Sequence, residues 1–207
     1  VRSGGYNFRN GNQLIPPGPT DEEIVDAFEL GYKAQLPDKK GTFNASLFVN
    51  DISDMQREVL VADENLGTSQ VIRNTADARI SGLEMESRIV LSDSLVMQAS
   101  LGYLDGEYQK ILFDISGDGV VNNEDKSLKL PRLAPWTWGL GFIHSTTLSN
   151  GRTLDSSINY SHRHSSAYTD NNTGYLNAVN AVDASMTLRR DNITMSLYGK
   201  NLLNEVN

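Results

Sequence analysis

The chain has 207 residues, with 26 Asp and Glu against 18 Lys and Arg for a formal net charge of -8, and no cysteine. That length suits one sizeable β domain or a piece of a larger one, the acidic balance argues against nucleic acid as a partner, and the missing thiols exclude disulfides, thiolate catalysis and cysteine metal sites. No apolar run approaches the ~18 residues of a membrane helix, which leaves transmembrane β-strands open, because half their residues are polar.

In chain order, Val1 to Phe8 reads as the end of a strand and 9–23 as a loop carrying NGN and PPGP. Ile24 to Leu36 is the first full strand, with Phe28, Leu30, Tyr32, Ala34 and Leu36 alternating against Glu29, Lys33 and Gln35. The turn Pro37 to Gly41 leads to a strand with Phe43, Ala45, Leu47 and Val49 on one face and Asn44, Ser46 and Asn50 on the other. Residues 51–79 read as a polar excursion with strand extensions around Glu58 to Ala62 and Gln70 to Arg73. The hairpin Ile80 to Tyr108, turning at Ser92 to Ser94, shows the pattern most clearly: Leu83, Met85, Ile89 and Leu91, then Leu95, Met97, Ala99, Leu101 and Tyr103, all at a period of two. After a second excursion over 109–131 come Trp136, Trp138, Leu140 and Phe142, the SNG turn Ser149 to Gly151, and the returning Leu154, Ile158 and Tyr160. A third excursion, 164–179, precedes Val182, Ala184, Met186 and Leu188, the turn 190–192, and a last strand with Ile193, Met195 and Leu197.

The pattern predicts an all-β fold, an antiparallel up-and-down meander of about eight to nine strands from a larger transmembrane β-barrel, forming one domain over 1–207. Short turns at 37–41, 92–94, 149–151 and 190–192 alternate with long connections at 9–23, 51–79, 109–131 and 164–179. In a meander, alternate connections lie at the same end of the sheet. Segregated loop lengths therefore favour an outer-membrane barrel, with short periplasmic turns and long outside loops, over a soluble sandwich or barrel.

The long outside loop 109–131 holds DISGDGVVNNED, Asp114 to Asp125. Asp114, Ser116 and Asp118 at positions 1, 3 and 5, a glycine at 6, the Val120 carbonyl at 7, Asn122 at 9 and Asp125 at 12 fit a twelve-residue calcium loop. Side chains at 1, 3 and 5 converge when the glycine permits a sharp bend. Asp at position 12 resembles a dockerin-type loop, and serine at 3 is a weaker ligand than Asp or Asn. The reading favours Ca²⁺ as a structural staple over a solvated acidic loop held by Asx turns. His162 and His164 share a strand face with no third ligand evident, and read as ordinary residues at a loop base. Trp136, Trp138 and Tyr160 suit an aromatic girdle, with core packing in a soluble sheet as the alternative. Asp155, Glu84 and Glu86 read as water-facing wall residues and not as an acid–base pair, so no enzyme is predicted.

Several stretches resemble TonB-dependent outer-membrane receptors. VDAFELGYK (Val25 to Lys33) resembles E-x-V-x-x-F-E-L-G-x-K, and VRSGGYN is similar to the preceding Y-R-S-G-G-F-N strand. FNASLFVNDISDMQ (Phe43 to Gln56), NTADARISGLEME (Asn74 to Glu86) and LPRLAPWT (Leu130 to Thr137) resemble further segments of that family. AYTDNN (Ala167 to Asn172) and SLYGKNLLNE (Ser196 to Glu205) resemble its closing strands. Their order along essentially the whole chain is what makes the resemblance specific. It implies the later part of a 22-stranded barrel, with an N-terminal plug domain and a TonB-contacting box upstream and a customary last strand downstream. Both ends of the chain accordingly read as cut. The resemblance further implies uptake of a scarce ligand such as a ferric siderophore or other iron chelate, with TonB and outer-membrane lipid as partners and the bacterial outer membrane as location. Ligand contacts are then expected from 51–79, 109–131 and 164–179, with no individual substrate residue assigned. The alternatives are a small free-standing outer-membrane barrel, or a secreted soluble calcium-binding β module for glycans.

Overall fold

A computed structural model describes residues 1–6, 18–63 and 67–205. Phe8, the NGN segment and the two leading prolines of PPGP lie outside the described residues. β1 (Gly5–Tyr6) pairs with β2 (Pro19–Thr20), and Arg2 bridges Glu23 just before the main sheet begins. The chain then runs through β3 (Ile24–Gln35), β4 (Gly41–Asp63), β5 (Gly67–Ser92) and β6 (Leu95–Ile111). A short helix α1 (Asn123–Ser127) precedes β7 (Trp136–Thr147) and β8 (Thr153–Arg163). The two-residue strands β9 (Ser166–Ala167) and β10 (Tyr175–Leu176) pair with each other before β11 (Val179–Arg190) and β12 (Ile193–Gly199).

β3 to β8, β11 and β12 form one antiparallel sheet of eight strands in sequence order, as the up-and-down meander requires. Among the described residues β3 and β12 each pair on one side only, so the sheet is an open wall and not a closed eight-stranded barrel.

Register carries the apolar parity across the whole wall. Tyr32 stands opposite Ala45, which faces Met85, then Leu101, Trp138 and His162 in turn. A parallel row runs from Ile89 through Met97, Phe142 and Ile158 to Ala184. The opposite parity gives Lys33, Asn44, Glu86, Ser100, Gly139 and Ser161. The polar side is the hollow one, forming a 750 Å³ trough along Glu29, Lys33, Glu86, Thr137 and Ser161. The apolar side is therefore convex, and it is uncovered: Phe28 is 70% exposed, Leu30 63% and Leu197 70%. β3, β7, β8 and β11 have 11 or 12 residues each, close to the ~9–11 that cross a bilayer at a tilt.

Cross-strand polar pairs line the concave face. Asn44 Nδ2 donates to Glu86 Oε1 at 2.7 Å, and Ser157 shares a hydrogen bond with Ser185 at 2.8 Å. Arg189 pairs with Asp155, which also accepts from Ser145 Oγ at 2.6 Å.

The strands overrun the wall at the long-connection end. β4 and β5 are 23 and 26 residues long, so the strand extensions expected around Glu58 to Ala62 and Gln70 to Arg73 are present and run on into the wall, making 51–79 a protruding hairpin. A β-bulge between Ile52 and Met55 breaks the alternation at its base. There Asp54 takes a left-handed φ of 52°, its N–H donates to Asp77 Oδ1 at 2.8 Å, and Asn74 Nδ2 donates to its carbonyl at 2.7 Å. The short turns stay tight, as at Gly151, where a φ of +75° calls for glycine.

A packed core sits at this end of the sheet. Met55, Ala76, Ala78, Tyr108 and Leu130 are buried together, with Ile52, Ile80, Ile115 and Leu133 packed against them. Gly106 makes it possible: a Cβ there would lie 2.7 Å from Leu130 Cδ1 and 3.1 Å from Leu133 Cδ1. Gly106 shares the concave parity of Gly102, so the connection between β6 and β7 folds inward over β4–β6.

Candidate ligand pocket and calcium loop at the long-loop end

The three long connections that the sequence singled out meet around a 340 Å³ pocket. The protruding hairpin contributes Arg57, Glu58 and Thr75; the β6–β7 connection contributes Asp114 and Ile115; the β8–β11 connection contributes Asp170. Buried Tyr108, on the concave side of β6, forms its floor with Phe113. Sequence reading placed contacts in these loops but named no single residue. The available signal was parity: Tyr108 lies two residues from Gly106 on the same face, before a bulge at Asp77 and Ala78 resets it.

The loops are tied to one another. Asn172 receives the Lys129 N–H on Oδ1 at 2.6 Å and returns Nδ2 to the Lys129 carbonyl at 2.9 Å, as a neighbouring strand would. Arg132 N–H donates to the Ala167 carbonyl at 2.6 Å, and the Arg132 guanidinium lies 5.1 Å from the Tyr168 ring centre. Arg57 Nη1 stands 3.7 Å from Asp170 Oδ1 across the pocket.

The predicted calcium-loop residues do fold together. Asp114 accepts from Ser116 Oγ at 3.1 Å and from the N–H groups of Gly117 and Gly119 at 2.7 and 2.8 Å. Asp118 accepts the Val120 N–H at 2.8 Å and Asn122 Nδ2 at 3.0 Å, and the Val120 carbonyl also faces Asn122 Nδ2 at 3.3 Å. Asn122 caps α1 and shares a reciprocal capping box with Asp125. Asp125 is fully buried, and its carboxylate takes the N–H groups of Ile115, Ser116 and Asn122 at 2.8, 2.7 and 2.8 Å. Burial pushes this carboxyl up, but the three backbone donors outweigh it and hold the group below the ordinary carboxylate range. The carboxylates are thus turned onto backbone donors. Among the described residues no three His, Asp or Glu side chains converge as a metal cage.

His162 is also engaged, with Nδ1 2.9 Å from Asn180 Oδ1, and its ring lies 6.1 Å from that of His164. It belongs to an aromatic cluster on the convex face, where Tyr103 contacts Trp136 at 4.5 Å and Trp138 contacts Tyr160 at 4.8 Å between ring centres. Trp136 and Trp138 are 43% and 40% exposed, which fits a girdle at the wall's rim and not a packed core. Glu84 and Glu86 line the concave trough, as their polar parity predicted.

An antiparallel wall with an uncovered apolar convex band, a polar concave face, tight turns at one end and folded loops at the other is the wall of an outer-membrane β-barrel. The chain belongs to the TonB-dependent receptor β-barrel family: the family model described as "TonB dependent receptor-like, beta-barrel" matches residues 2–202. This is a family of transport receptors of the bacterial outer membrane.

Similar solved structures share the fold. The ferric yersiniabactin uptake receptor FyuA from Yersinia pestis aligns with a TM-score of 0.72 at 16% identity, over 98% of this chain and 29% of that one. The copper transporter OprC aligns at 0.65 and 18%, over 91% of this chain and 26% of its own. The ferric-catecholate import receptor Fiu from E. coli K12 aligns at 0.60 and 17%, over 91% of this chain and 24% of its own. The chain thus spans less than a third of the length of each.

Proposed function

We propose that the receptor to which this chain belongs takes up a scarce ligand, such as a ferric siderophore, across the outer membrane with energy relayed through TonB. The pocket lined by Arg57, Tyr108, Asp114 and Asp170 meets that ligand. One observation carries the reading: three connections far apart in sequence converge on one 340 Å³ pocket, at the end of the wall opposite the tight turns. Family membership supports ligand uptake in general, and the similar structures named for ferric chelates support iron as the first cargo to test.

The test uses the full-length receptor in its host. Radioactive iron added to iron-starved culture supernatant is expected to enter receptor-bearing cells, and to stay outside when TonB is deleted or the pocket carries Asp170→Lys. Equal uptake with and without the receptor would overturn the reading.

The loop Asp114 to Asp125 is proposed to take Ca²⁺ weakly, on the strength of its twelve-residue spacing and the helix that begins within its last three residues. A cation would have to draw Asp114, Asp118 and Asp125 partly away from their backbone donors. At ten times a Kd of ~10⁻³ M, calcium would add about 1.4 kcal/mol to the folded loop. Hydrogen exchange of 112–131 in calcium against chelator measures it, and identical protection would remove calcium from the picture.

A further inference from the structure

The β8–β11 connection is held in place by polar contacts and very little apolar burial. Its aromatic residues Tyr168 and Tyr175 are exposed, and among its described residues Ala167 is the buried apolar one. Internally it closes on itself. β9 pairs with β10, Tyr168 N–H donates to the Gly174 carbonyl at 2.8 Å, and Gly174 N–H donates to Thr169 Oγ1 at 3.0 Å. Externally it is clipped to the β6–β7 connection: Asn172 pairs with both backbone groups of Lys129, and Ala167 accepts the Arg132 N–H. A segment with its own internal bonds and few outside ones opens as a unit at low cost.

Two features make the docked position costly. Arg132 and Asn172, one at each clip, hold left-handed φ angles of 61° and 56°, which a non-glycine residue keeps only where its surroundings enforce it. The shielded side-chain oxygens without a hydrogen-bond partner among the described residues, Ser166 Oγ and Asp170 Oδ1, also both lie on this connection. Undocking returns those oxygens to water and frees the two backbones.

We propose that this connection is a strap with two positions, docked and open, and that opening uncovers the loop pocket. Thr169, Asp170 and Asn171 wall that pocket together with buried Thr75 and Tyr108, so lifting the strap bares the latter pair. Because the clips are mutual, the stretch around Lys129 and Arg132 loosens whenever the strap lifts. Opening needs no particular cargo, so it is read without ligand and independently of iron uptake.

The test uses the full-length receptor in detergent micelles, with Thr75→Cys as a reporter of the pocket floor. Thr75 is 1% exposed with the strap docked, so the rate at which a maleimide labels position 75 measures the open fraction. Asn172→Ala removes both hydrogen bonds to Lys129 and is expected to speed labelling about tenfold. Ser166→Ala removes an oxygen that water satisfies only in the open position, and is expected to slow labelling about tenfold. A loop simply packed in place would be loosened by both truncations. Hydrogen exchange reads the partner connection. The Arg132 amide, bonded to Ala167, should follow the strap in both variants, while the Ile115 and Ser116 amides, held by Asp125, should stay as they are. Labelling that either substitution leaves unchanged, or that both move the same way, would overturn the strap. An Arg132 amide that ignores both substitutions would overturn it too. So would exchange that rises at Ile115 and Ser116 as well, since the loop end would then be unfolding as a whole.

Discussion

The wall and the loop end of this chain solve the same problem in opposite ways. Along the wall, Leu30, Leu47, Leu83 and Trp136 point outward, and the strands bury little against one another beyond their backbone ladders. At the loop end, Met55, Ala78, Tyr108 and Leu130 pack inward as in a water-soluble protein. The difference tracks the solvent. A bilayer satisfies apolar side chains but no backbone group, so the wall needs a continuous ladder and no core. Loops standing in water must bury their own apolar residues and satisfy their own N–H groups, which is what Tyr108, Leu130, Asp125 and Asn172 do.

Truncation at the core should have the largest effect. Tyr108→Ala removes the largest buried side chain of the cluster, and a cost of about 3–5 kcal/mol is expected for a core aromatic. Hydrogen exchange across 112–135 should then rise while the wall stays protected; a uniform rise through β7 and β8 would break the division into two regions. A charge test of the wall comes next. Leu47→Arg on the convex face should destabilise the bilayer-embedded receptor by about 2–4 kcal/mol, whereas Ser46→Arg on the concave face should be nearly neutral. Equal losses in a urea titration from vesicles would refute the assignment of faces.

Gly106→Val is the third and tests the seam between the regions. With only 2.7 Å to Leu130 Cδ1, overpacking should cost about 1–3 kcal/mol and loosen the inward fold of the loop, read as new proteolysis between 112 and 135. The smallest expected effect is acid release of the loop. Because the folded pKa of Asp125 is depressed, its stabilisation is fully present above the ordinary carboxylate value of about 4 and is lost as pH falls through the folded value. Protection of the Ile115 and Ser116 amides should therefore drop at acid pH in the wild type, and Asp125→Asn should remove that pH dependence.

Face and end were legible from the residues alone. The alternation of Phe28, Leu30 and Tyr32, or of Met97, Ala99 and Leu101, needs only a period of two, and turns such as SNG announce where the chain reverses. The overrun of β4 and β5 was harder to see, because the bulge at Asp54 and Met55 switches the parity where the hairpin leaves the wall. Parity put Tyr108 on the polar concave face, and its burial comes from Leu130 and the β6–β7 connection folding over that face.

By itself, then, the sequence determined the meander, the convex apolar band and the segregation of tight turns from long loops, since each depends on neighbours a few residues apart. It also marked Asp114 to Asp125 as a unit, because those hydrogen bonds close within twelve residues. Only the tertiary structure decided that Arg57, Asp114 and Asp170 share one pocket and that Leu130 settles over Gly106. Those contacts depend on strand register and on loops folding back over the wall. No local pattern encodes a meeting between residues brought together by the whole sheet.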